Sequence, residues 1–222
     1  LRIGKHLASL VNLVYFGTGK YFENVDKDYK VSSVPQIDSF YAILDDGTTN
    51  MTRGSLQVQT FTTTGGLRTG STNVVDYTTK QGWYIDLTVN GAKQGERVIS
   101  TPVLSGSRLI FVSIVPSGGD KCISNGTSWL NELDALDGSM LDDKVLDTDN
   151  DGDIDASDTK VTSVQLDGMA SEPSILDGGD GKSEKKIMGS TSASSSIITV
   201  TEKKGATESL GGSGRMSWQQ IQ

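Results

Sequence analysis

Short apolar runs rich in β-branched and aromatic residues recur along the chain, separated by clusters of Gly, Asp, Asn and Ser. The runs at 13–16, 39–44, 55–61, 82–87, 97–101, 108–115, 128–133, 160–166, 185–188 and 197–201 predict strands. Such side chains pack well on a pleated surface, and each run has strand length. No window sustains a 3.6-residue apolar period, so little helix is expected. Asp45-Asp46-Gly47, directly after the second run, reads as a hairpin turn. Segments 24–35 and 65–76 are polar and small and read as surface insertions, and 190–196 as a Ser-rich turn.

Two stretches form a weak internal repeat. Residues 96–104 carry Ser100-Thr101-Pro102-Val103-Leu104, then Ser105-Gly106-Ser107 and the apolar run from Leu109. Residues 168–176 carry Ser171-Glu172-Pro173-Ser174-Ile175-Leu176, then Asp177-Gly178-Gly179 and the run 186–188. Both read as a strand, a tight turn and a second strand, as where one propeller blade passes into the next. A blade needs roughly 40–50 residues. The chain would therefore supply three or four blades with insertions, leaving ring closure to something N-terminal. The fold class expected is all-β, a partial segment of a β-propeller spanning residues 1–222, with radial repetition hiding the sheet edges.

The 222 residues suffice for a real core in one domain or two small ones. The chain starts at Leu1, which suggests a fragment or a processed product. With 28 acidic against 20 basic residues and a net charge of −8, no clustered cations await a phosphate backbone, so nucleic acid is a poor partner and metal cations a better one. No stretch approaches the ~18 consecutive apolar residues of a membrane helix. Cys122 and His6 are each alone in the sequence. No disulfide framework can form within the chain, although Cys122 could meet a partner upstream of Leu1.

The densest chemistry lies at 147–158, where the sequence runs Asp-Thr-Asp-Asn-Asp-Gly-Asp-Ile-Asp-Ala-Ser-Asp. Counting Asp147 as position 1, carboxylates stand at 1, 3, 5, 7, 9 and 12, with Gly152 at 6 and Ile154 at 8. This is calcium-loop spacing, with Asp in place of the usual Glu at position 12. Ca²⁺ is a hard cation that takes six to eight oxygens, and six carboxylates in twelve residues repel unless a cation compensates them. Gly152 supplies the sharp turn. Ile154 is expected to anchor the loop to the core through a short β-type contact. The ligands read from this pattern are Asp147, Asp149, Asp151, the carbonyl of Asp153, and Asp155 directly or through water. Asp158 is a further candidate, since the strand-like run after it does not assure the return that an exiting helix provides. Mg²⁺ is disfavoured because it demands a small octahedral shell.

Other chemistry is weak. Asp177 to Gly181 lacks alternating carboxylates and reads as a hairpin turn. Gly17-Thr18-Gly19-Lys20 lacks the spacer and following helix of a phosphate loop. A single His supports no triad, and no cofactor or catalytic set is discernible. A dockerin-like interaction module would need two loops on paired helices. A quinoprotein-type enzyme would need adjacent cysteines, a cofactor-stacking Trp and a complete ring, whereas Trp83, Trp129 and Trp218 are expected to lock blades together.

In order along the chain, Leu13-Val14-Tyr15-Phe16-Gly17-Thr18-Gly19-Lys20-Tyr21-Phe22, Ser39-Phe40-Tyr41-Ala42-Ile43, Gly82-Trp83-Tyr84-Ile85-Asp86-Leu87 and Gly95-Glu96-Arg97-Val98 are followed by Thr127-Ser128-Trp129-Leu130-Asn131-Glu132-Leu133-Asp134-Ala135, the acidic loop and Gly214-Arg215-Met216-Ser217-Trp218. This succession resembles the C-terminal domain of the PilC/PilY family of type IV pilus biogenesis factors and tip adhesins. The resemblance implies a modified quinoprotein-dehydrogenase-like propeller with a calcium loop inserted between two strands. It implies calcium ligands at Asp147, Asp149, Asp151, Asp153 and Asp155, and an exported, non-enzymatic protein at the pilus tip or outer membrane. Implied partners are minor or major pilins and a host or abiotic surface, with calcium occupancy linked to pilus extension or retraction. No Arg-Gly-Asp tripeptide occurs, so integrin contact through that motif has no support.

Overall fold

A computed structural model of the chain describes residues 12–27, 37–118, 126–179 and 181–204. Cys122, His6, Trp218 and the block 214–218 lie outside these residues. The described chain is all-β, and its only helical elements are two single 3-10 turns, Asn24–Lys27 and Arg53–Ser55.

Among the described residues, thirteen strands make three open sheets. The first joins β1 (Asn12–Gly17), β2 (Ser39–Asp45), β6 (Gly82–Asp86) and β3 (Gln57–Gln59) in that order, with β3 parallel to β6. The second has six strands, in the order β4 (Phe61–Thr64), β5 (Leu67–Gly70), β10 (Ser163–Asp167), β9 (Gly126–Asp134), β8 (Arg108–Pro116) and β7 (Val103–Ser105). The third is a meander of β11 (Ser174–Asp177), β12 (Ser183–Gly189) and β13 (Ile197–Lys203).

The six-stranded sheet is the middle layer, and the side-chain period of two explains how. All nine residues of β8 are buried. Its odd positions Leu109 and Phe111 join Phe40, Trp83 and Ile85 of the first sheet, with the Phe40 and Phe111 rings 4.1 Å apart. Its even positions Ile110 and Val112 join Met188 and Val200 of the third sheet. One strand thus serves two cores, which is why the run reads as continuously apolar.

Several expectations are corrected. Asp45-Asp46-Gly47 does not close a hairpin, because β2 pairs with β1 and β6 rather than with β3. The run 55–61 is broken between β3 and β4, which enter different sheets. Residues 97–101 form no strand, only the isolated bridge of Arg97 to Ile114. Segment 65–76 is not a mere insertion, since it contains β5 and the buried Arg68. Among the described residues there is no closed barrel or propeller. A six-stranded sheet and a parallel β3–β6 pair both depart from the four-stranded up-and-down blade. The two repeats do form the same unit, the hairpins β7–β8 and β11–β12.

Trp83 and Trp129 are buried packing residues. Trp83 lies against Gly138, whose φ of +70° and proximity to the indole leave no room for a Cβ, which would stand 2.4 Å from a ring carbon. Trp129 lies under the Arg68 guanidinium at 3.8 Å. Arg68 in turn forms a bidentate buried pair with Glu96, at 2.8 and 2.6 Å.

Candidate metal centre

The acidic loop is a strap between two layers. On its entry side, Leu146 bridges Glu202 and the Asp147 N–H donates to the Thr201 carbonyl at 3.1 Å, adding this segment to β13. On its exit side, the Thr162 N–H donates to Arg68 and the Glu132 N–H to Thr162, both at 2.8 Å, before β10 runs in the middle sheet.

Within the loop, Asp147, Asp149, Asp151 and Asp155 each accept from backbone N–H groups ahead of them. Asp147 is buried, and its two oxygens accept the N–H groups of Asn150 at 2.6 Å and Gly152 at 3.0 Å. Asp149 accepts from Asp151 N–H at 3.3 Å, and Asp151 from Asp153 N–H at 2.9 Å. The winding passes through left-handed backbone at Asn150 (φ 61°), a residue type that tolerates this region, and at Gly152 (φ 98°), which lacks a Cβ and adopts it without strain. Carboxylate oxygens of Asp147, Asp149 and Asp151 thereby converge within 4.8 Å of one another.

The remaining predicted ligands stand apart from that trio. Asp153 is exposed and does not join it. Asp155 reaches the trio indirectly, because the Ser157 hydroxyl lies 2.7 Å from both Asp155 and Asp149. Hydrogen bonds from the Ser157 hydroxyl and N–H hold the Asp155 carboxyl below the ordinary carboxylate range. Asp158 closes the loop instead of facing its centre. It accepts from the Thr148 N–H at 2.6 Å, the Thr148 hydroxyl at 3.1 Å and the Asp155 N–H at 2.9 Å. Burial acts to raise its pKa, but these donors outweigh that and leave it lowered. Ile154 is half-buried, belongs to neither apolar cluster and makes no β-bridge, so it does not anchor the loop as expected.

Sequence reasoning passed over Thr148, Ser157 and Lys144. Lys144 donates to the carbonyls of Asp155 at 3.2 Å and Ala156 at 2.9 Å, bracing the far half of the loop. The Asp155-Ala156-Ser157 spacing, in which an aspartate accepts from the residue two ahead, was the available signal. As a donor set the trio is all oxygen, anionic and on a tightly wound backbone, which fits a hard divalent cation of calcium size.

A three-layered all-β domain with one acidic strap is thus the class that fold and site define. No protein-family model matches the chain. Among curated proteins, a type IV pilus biogenesis factor PilY1 homologue of Xylella fastidiosa is 36% identical over 133 residues, covering 57% of this chain and 9% of its own length. PilY1 of Pseudomonas aeruginosa is 32% identical over 167 residues, covering 65% of this chain and 14% of its own length. The solved C-terminal domain of Pseudomonas aeruginosa PilY1 superposes with a TM-score of 0.64 at 26% identity, over 87% of this chain and 42% of that one. The chain's homologues are therefore PilY1 type IV pilus biogenesis factors, and its structural counterpart is their C-terminal domain. It spans only a small part of the length of those curated relatives. Among the described residues no helix is long and apolar enough to cross a membrane.

Proposed function

We propose that this domain is a calcium-binding module of a type IV pilus assembly factor, acting outside the cell without catalysis. The convergence of Asp147, Asp149 and Asp151 carries the reading, because three carboxylates within 4.8 Å repel one another until a divalent cation sits among them. Asp155, through Ser157, and the Asp153 carbonyl are the next donors in reach as the loop tightens. The homologues support the pilus context, and pilins are the partners proposed from it.

The strap's position suggests the mechanism. Cation binding would stiffen a segment that joins β13 to the middle sheet, so ion concentration would act on how two layers are held together. Control of retraction and surface attachment follow in this reading as consequences of that stiffening for pilin contacts. The propeller expectation enters here too: the meanders β7–β8–β9 and β11–β12–β13 are repeated antiparallel units of the kind from which blades are made.

Titration calorimetry with CaCl₂ and MgCl₂ tests the proposal. Calcium is expected to bind with up to millimolar affinity, sufficient for an extracellular module. Asp147→Asn with Asp155→Asn should abolish the heat, and cells carrying that pair should change in surface piliation. Unaltered calcium affinity in the double variant would reject the site.

A further inference from the structure

Beside the strap, on the same side of the middle sheet, lies a cavity of about 370 Å³ between the β7–β8 turn, residues 141–145 and the end of β13. Its volume is in the range of ligand pockets. Its charges do not balance. Of the carboxylates lining it, Asp143 is paired with Lys203 at 2.7 Å, while neither Asp134 nor Asp142 has an ion-pair partner among the described residues. Lys204, the other lysine in the wall, is held by Asp177. The remaining cation, Arg108, is already committed behind the cavity, where Arg108 and Lys186 face three buried carboxylates, Glu132, Glu184 and Glu202. The wall and the network at its back together are short of positive charge. Asp134 registers that imbalance: burial and the nearby charges of Asp137 and Asp142 push its carboxyl above the ordinary range. Behind the wall, the Nε–H of Arg108 and both carboxylate oxygens of Glu202 are buried without a hydrogen-bond partner among the described residues.

We infer that this cavity receives a basic residue of a partner polypeptide, with the cationic head between Asp134 and Asp142 and the aliphatic stem against Leu141 and Val145. Charge complementarity selects the ligand. An anion would meet two carboxylates that lack an ion-pair partner, and a purely apolar group would leave their charges uncompensated. The site stands apart from the proposed metal trio, none of whose members lines the cavity.

The test uses N-acetyl-arginine amide as probe and its neutral isostere N-acetyl-citrulline amide as control. Both are followed by amide NMR shifts of the whole chain in millimolar calcium, which keeps the acidic loop from competing for the cation. The arginine probe is expected to give saturable shifts at Ser107, Leu141, Asp142 and Val145 and the citrulline probe none. Asp142→Asn, at an exposed position, should weaken the response about fivefold, the scale of a solvent-accessible ion pair. No response at millimolar probe, equal responses to both probes, or a response indifferent to Asp142→Asn would each overturn the inference.

Discussion

The carboxylate of Asp158 accepts both the N–H and the hydroxyl of Thr148, ten residues earlier, so the last aspartate of the strap is the staple that closes it. Being 4% exposed and also bonded to the Asp155 N–H, it should matter before any cation arrives. Asp158→Ala is expected to lower stability in chelator by about 1–3 kcal/mol, the scale of losing a buried acceptor. Asp151→Asn, at an exposed position, should stay within about 0.5 kcal/mol of the parent in chelator. Denaturant melts in EDTA compare the two, and equal apo stabilities would refute the division into staple and ligand.

The joint between the middle and third sheets is ionic at one end. Lys186 is fully buried between Glu132 and Glu202, and Arg108 reaches Glu132, Glu184 and Glu202. Burial depresses the Lys186 pKa, with Glu132 opposing the shift. Removing that ammonium alone leaves carboxylates uncompensated in the interior. Lys186→Met is expected to cost about 3–5 kcal/mol, and adding Glu202→Met should recover a substantial part of it. A double-mutant cycle by chemical denaturation measures this, and strict additivity would contradict the coupling.

Asp134 offers a pH test with a definite sign. Burial, then the charge of Asp137, raises its pKa in the folded state. The folded protein therefore holds this proton to higher pH than the unfolded chain does. Stability from this group is present at low pH and is lost as pH rises from the ordinary carboxylate value through the raised one. Asp134→Asn keeps an acceptor for the N–H groups of Leu136 and Asp137 and removes the charge. The variant should melt above the parent at pH 7, with the gap shrinking toward pH 4. A gap that is constant with pH would rule out the charge as its cause.

Gly138 should tolerate no side chain. Its positive φ and the nearness of Trp83 place two penalties on the same atom. Gly138→Ala is expected to cost at least about 1–3 kcal/mol in thermal melts.

The strand content was legible because most of it rests on local signals. The runs at 108–115 and 128–133 sit inside β8 and β9, and within the acidic spacing three carboxylates, those of Asp147, Asp149 and Asp151, lie close together. What could not be read depends on partners distant in sequence. Arg68 looks like a surface residue until Glu96, Phe61 and Trp129 enclose it, and the five members of the ionic joint come from four strands in two sheets. Asp46-Gly47 forms a turn, but turn chemistry does not say which strand will pair next, and β6 rather than β3 takes the place beside β2. Position 12 was ambiguous for a related reason. The same carboxylate can face an ion or cap the loop's own backbone, and here it accepts from Thr148.

The central claim is that Asp147, Asp149 and Asp151 share one calcium ion. A crystal of this domain grown in millimolar calcium, with anomalous scattering recorded, addresses it directly. A peak bonded to all three carboxylates at about 2.3–2.6 Å is the predicted result. A map with only water among them would contradict the account.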